Sequence, residues 1–128
     1  MKRISLGIIV ISVIMIFAGL ATDFFWIARL IGKAFPPTLP VPTKIYNAFA
    51  LPDLILSLFL YIGAYGLLAT KKYGYTFTLV AMGMWLFDSL LVLRITGTQR
   101  LDVVVPVLIF SLYTIYYLYR RSNIIKSN

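Results

Sequence analysis

The chain contains no cysteine and no histidine. Thiol nucleophiles, quinone-linked disulfide exchange, Cys/His zinc sites and bis-histidine haem are thereby excluded. Acid is almost as scarce. Against twelve lysines and arginines stand four aspartates, Asp23, Asp53, Asp88 and Asp102. A metal would have to rest on Asp, backbone and hydroxyl oxygens, a donor set suited to Mg²⁺ or Ca²⁺. There is no paired-carboxylate metal motif, glycine-rich phosphate loop or nucleophile elbow, and neither a metal nor a cofactor is expected. Charge of both signs is low as well: 12% of the 128 residues, where a soluble domain carries about 25%. Such a chain has too few charges to cover a water-facing surface.

What the sequence has instead is apolar residues in long runs. They make up 61% of the chain, and the mean hydropathy is +0.92. The first run, residues 4–22, holds no charge and would be about 28 Å long as a helix, enough to cross a hydrocarbon core. Three more follow, at about 48–70, 75–95 and 103–119. The expected fold is therefore an all-α membrane protein of one domain spanning residues 1–128, with four transmembrane helices in an up-down bundle. The start, Met1-Lys2-Arg3 before an apolar run ending in Gly19-Leu20-Ala21, also resembles a secretory signal. Its apolar stretch exceeds the usual 7–15 residues of a signal core, so it is taken as an uncleaved span.

Orientation follows from the basic residues. Lys2, Arg3, Lys71, Lys72, Arg120, Arg121 and Lys126 fall on one side, close to span ends and with no acid among them. Arg29, Lys33, Lys44, Arg94 and Arg100 fall on the other. The positive-inside rule places both termini in the cytoplasm of a multi-pass cell-membrane protein. The net charge of +8 is accounted for by topology and lipid headgroups rather than nucleic acid; no basic–aromatic platform for a single strand is present. Tyr73, Tyr75, Tyr113, Tyr116, Tyr117 and Tyr119 mark the inner interface, and Phe24, Phe25, Trp26, Phe35, Tyr46 and Phe49 the outer one.

One connection is long, residues 23–47. Residues 24–35 are apolar with Arg29 and Lys33 four apart on one helix face, which predicts a short helix lying in the outer interface. Residues 36–42, Pro-Pro-Thr-Leu-Pro-Val-Pro, predict a stiff polyproline-like strap.

Threaded this way, all four aspartates fall in the outer half. Asp53, just after Pro52, has a bland account as a first-turn acid at the positive end of a helix dipole. Yet Ser57 and Tyr61 continue its face at i+4 and i+8, like one wall of a cavity. Gly63 and Gly66, further along, would allow close helix approach. Asp88 lies roughly 10 Å below the outer boundary at 1.5 Å per residue, too deep to be a cap. Charged, it costs several kcal/mol unless paired or protonated. Its i±3 and i±4 neighbours, Met84, Trp85, Leu91 and Val92, cannot pair with it. Trp85 would give it an apolar wall. Arg94, six residues on, is turned about 240° away, free to snorkel outward or reach Asp102 or Asp23. Asp102 reads as a cap or first-turn acid. Asp23, at the end of the first run, calls for a basic partner such as Arg29 or Arg100. Ser5, Ser12 and Gly19 form a small-residue packing seam.

The first span lacks the acid expected of small multidrug exporters, and no lysine lies within a span, as retinal binding needs. In architecture the plan is similar to the four-helix membrane domains of sterol isomerases and the sigma-2 receptor, in which acids project into a ligand cavity. That likeness assigns no residue. The leading expectation is a non-enzymatic membrane protein with an outward-facing pocket for a lipid-like or cationic small ligand. Asp53, Asp88, Trp85, Tyr61, Ser57, Asp23 and Arg94 are its candidate residues, and residues 24–35 would cover its mouth. The alternatives are an accessory or assembly subunit, homo-oligomeric or bound to a membrane-protein partner, whose outer charges are inter-helix locks, and a lipid or isoprenoid enzyme using Asp88 as proton donor.

Overall fold

A computed structural model describes residues 3–32 and 42–126 of the chain, with side chains to residue 122. The elements are α1 (Leu6–Leu30), α2 (Thr43–Ala48), α3 (Ala50–Leu68), α4 (Lys72–Thr96), a 3₁₀ turn (Gly97–Arg100) and α5 (Leu101–Lys126). Among the described residues there is no strand.

Local signals explain where the helices begin and end. Ser5 caps α1 by accepting the Ile8 amide at 3.4 Å, as an N-cap hydroxyl does. α3 closes in a Schellman motif: Thr70 N–H reaches the Leu67 carbonyl at 3.1 Å and Lys71 N–H reaches the Gly66 carbonyl at 2.8 Å. Thr70 takes φ 54° there, a conformation costly for a β-branched residue. α4 ends at Gly97, whose φ of 58° and ψ of −128° are open essentially to glycine alone.

Neighbouring helices run antiparallel. Trp26 of α1 meets Asp53 of α3, while Gly19 faces Tyr61; as numbers rise on one helix they fall on the other. α3 and α4 approach so closely at Gly66 and Gly74 that a Cβ on either would strike the other's backbone. Phe59 and Phe77 stack edge to face farther along, at 5.3 Å. α4 and α5 form a hairpin, with Trp85 against Phe110 at 5.9 Å. The shared core takes Ile8, Ile11 and Met15 from α1, Leu56, Leu60, Ala64 and Leu67 from α3, Ala81 and Met82 from α4, and Leu118 from α5.

The outside of this bundle is apolar too. Leu6, Phe17, Leu30, Leu51, Phe87 and Ile109 are between 63% and 77% exposed, an arrangement water penalises and lipid does not. Three helical stretches are long and apolar enough to cross a membrane: Leu6–Leu30, Thr43–Leu68 and Lys72–Ser122. The third, 51 residues long, would measure about 76 Å as one rod, but the 3₁₀ turn folds it back on itself.

The first connection departs from expectation. α1 does not stop near Thr22; it continues to Leu30, so residues 24–30 extend it instead of forming a separate interfacial helix. No helix breaker interrupts residues 23–30, and the first glycine beyond them is Gly32, at φ 76°. Residues 33–41, with most of the proline strap, lie outside the described residues. Pro42 closes the strap with φ −54° and ψ 145°, polyproline-like as expected. After it comes α2, which the sequence pattern did not reveal. Only Phe49 separates it from α3. Arg29 ties it to α1, donating from Nε to Asn47 Oδ1 at 2.8 Å and lying 4.3 Å above the Tyr46 ring.

Candidate functional site

α1 contributes Asp23 and Trp26, one turn apart. α3 contributes Asp53, Ser57 and Tyr61, spaced i, i+4 and i+8 along one face. The two rows interlock. Tyr61 Oη donates to Asp23 Oδ2 at 2.6 Å, and Ser57 Oγ lies 2.6 Å from Asp23 Oδ1. The Ser57 hydroxyl is also 2.8 Å from the Leu54 carbonyl, so its one proton is shared between two acceptors. Trp26 Nε1–H donates to Asp53 Oδ2 at 2.9 Å. Gly19 makes the arrangement sterically feasible, because a Cβ there would lie 2.6 Å from the Tyr61 ring.

Asp23 therefore has hydroxyl partners where a basic one was expected. The cause is the length of α1. With the helix continuing past it, Asp23 sits in mid-helix facing α3, and Arg29, six residues on, is turned about 240° away. Arg100 also goes elsewhere, lying 3.5 Å from Asp102 on the exposed start of α5. Asp102 is the first-turn acid expected of it, and so exposed a pair contributes little.

Asp88 of α4 is half-buried and makes no hydrogen bond or ion pair among the described residues. It lines a cavity of about 290 Å³ together with Asp53. Ile45, Phe49 and Leu56 form one wall, and Met84, Phe87 and Leu91 the other. The two carboxylates are near enough to repel each other. A second space of about 180 Å³ shares Phe49, Asp53 and Asp88 and adds Trp26, Tyr46 and Arg100. The larger cavity thus carries two acids on apolar walls, and its lining includes no basic side chain. Among the described residues, no group of three acids gathers to hold a metal.

Of the candidate residues, Asp53 and Asp88 line the cavity, while Asp23, Ser57 and Tyr61 form the hydrogen-bonded seam behind Asp53. Trp85 lies elsewhere. It packs on Phe110 of α5 and lines neither space. Arg94 is exposed and lines neither space; Arg100 is the cation that reaches one. Trp26, Tyr46, Phe49 and Arg100 were missed as site residues. The signal for Trp26 was its place one turn after Asp23, hidden as long as the helix was taken to end at residue 22. The chain matches no protein-family model, no curated protein and no solved structure, so its chemistry has to be read from these residues themselves.

Proposed function

We propose that the chain is a non-enzymatic integral membrane protein whose four long helices cross the membrane up and down, with both termini cytoplasmic. Its outer half holds an acid-lined pocket for a lipid-like or cationic small molecule. One observation carries this reading: Asp53 and Asp88, from two different helices, share one apolar-walled cavity. Two like charges held together in a low-dielectric setting are costly. A cation with an apolar body would relieve the repulsion and fill the cavity at once, and Phe49 and Phe87 in its lining are aromatic groups of the kind that attract cations. Asp53 is already engaged by Trp26, so Asp88 is the carboxylate left for a ligand.

Native mass spectrometry of the detergent-extracted protein, with tetraphenylphosphonium as the probe cation, tests this. The expected result is binding weakened about tenfold or more by Asp88→Asn, equivalent to ~1.4 kcal/mol. Equal binding by the wild type and the variant, or none by either, would overturn the pocket.

A second reading, an accessory or assembly subunit, draws support from the use of Asp23 and Asp53 as hydrogen-bond acceptors between α1 and α3. It expects Asp23→Asn to disrupt stability or assembly while leaving cation binding per folded molecule unchanged.

A further inference from the structure

At the other end of the bundle, α5 packs on α4 and its backbone keeps its distance from that of α1. A groove of about 260 Å³ runs between α1 and α5, walled by Leu6, Val10 and Ile14 on one side and Phe110 and Tyr113 on the other. Its lining starts at Leu6, next to the end that carries both termini. There Tyr117 Oη and Ser5 Oγ hydrogen-bond at 2.9 Å across the gap. Gly7 leaves room for the Tyr117 ring. Arg121 stacks over that ring at 5.1 Å, and Arg3, exposed, lies two residues before Ser5. The sequence places no acid before Asp23 or after Asp102, so this end of α1 and α5 is positive throughout.

We propose that this groove binds one anionic phospholipid, with an acyl chain between α1 and α5 and the phosphate facing Arg3 and Arg121. The dimensions argue for a chain over a helix. From Leu6 to Ile14 the groove is about 12 Å long at 1.5 Å per residue, so its 260 Å³ correspond to a cross-section of about 20 Å². An α-helix, about 10 Å across with its side chains, is wider than such a groove. Charge complementarity selects the headgroup. Guanidinium groups pair with phosphate through paired N–H donors, and basic residues at a membrane surface attract anionic lipid. The hydrogen-bonded Ser5–Tyr117 pair keeps one hydroxyl proton free and adds a donor near that end. The site is separate from the acid-lined cavity and needs only that the chain be embedded in lipid.

The full chain in detergent, titrated with dioleoylphosphatidylglycerol or dioleoylphosphatidylcholine and read by native mass spectrometry, tests the assignment. The two lipids share their chains and differ in headgroup charge. One phosphatidylglycerol is expected to be held about tenfold or more tightly than phosphatidylcholine. Arg3→Gln with Arg121→Gln should abolish that preference. Val10→Trp, at an exposed position that fills the groove, should weaken both lipids. Asp88→Asn should leave both unchanged, which separates this site from the cation pocket. Equal binding of the two lipids, a preference surviving the double arginine change, undiminished binding by Val10→Trp, or a lipid-free dimer covering the groove would each overturn it.

Discussion

Hydroxyl and indole donors, more than ion pairs, join α1 to α3 at the end of the bundle away from both termini. Tyr61→Phe removes one of the two short bonds to Asp23 and leaves the ring in its place against Gly19. The expected loss is about 1 kcal/mol, the scale of a side-chain hydrogen bond in membrane proteins, measured by thermal unfolding in detergent. Gly19→Leu should cost more, because the new side chain occupies the volume of the Tyr61 ring and overpacking typically costs 1–3 kcal/mol. If Gly19→Leu is no less stable than Tyr61→Phe, the ring does not pack there. The stripe Asp53, Ser57 and Tyr61 was legible from spacing alone. Its partner was not, since hydrogen bonding depends on which face of α1 is presented, and one sequence does not fix helix rotation.

The helix ends hold the two strained turns. Gly97 adopts φ 58° and ψ −128°, so Gly97→Ala should destabilise the α4–α5 hairpin by about 1–3 kcal/mol, even though a Cβ there would meet open space. Thr70 presents the opposite case. It holds a left-handed conformation at φ 54° where glycine is the usual residue, and Thr70→Gly should raise stability by about 0.5 kcal/mol. Both are read as midpoint shifts in the same unfolding assay; a neutral Gly97→Ala would mean the turn relaxes. The apolar runs and their approximate limits were plain in the sequence, because hydrophobicity is a local property. The end of α1 was misjudged by eight residues' worth of helix, from 22 to 30. An aspartate looks like a terminus until its partners on another helix are known. The six-residue α2 was invisible for a related reason: a helix that short is held from outside itself, by Arg29 and Trp26 of α1 against its Asn47 and Tyr46.

For the whole molecule, the proposed four-crossing arrangement makes a topological prediction that the absence of cysteine makes clean to test. A single introduced cysteine is the only thiol in the chain. Thr98→Cys, in the exposed turn between α4 and α5, should react with a membrane-impermeant maleimide in intact cells. Lys72→Cys, exposed at the start of α4 beside its connection to α3, should react only after permeabilisation. Labelling of both from the same side would eliminate that threading. By itself the sequence determined that the chain is helical, that its exterior is apolar, that one end is basic and that acid gathers at the other. Composition and 3.6-residue periodicity record these properties directly, because burial in lipid requires them of every span. Only the tertiary structure decided how the acids divide. Asp23 is satisfied by hydroxyls, Asp53 is held by an indole, and Asp88 is left facing a cavity beside Asp53. That division depends on the rotation and depth of each helix against its neighbours, set by close contacts such as Gly19 with Tyr61 and Gly66 with Gly74 that no single helix encodes.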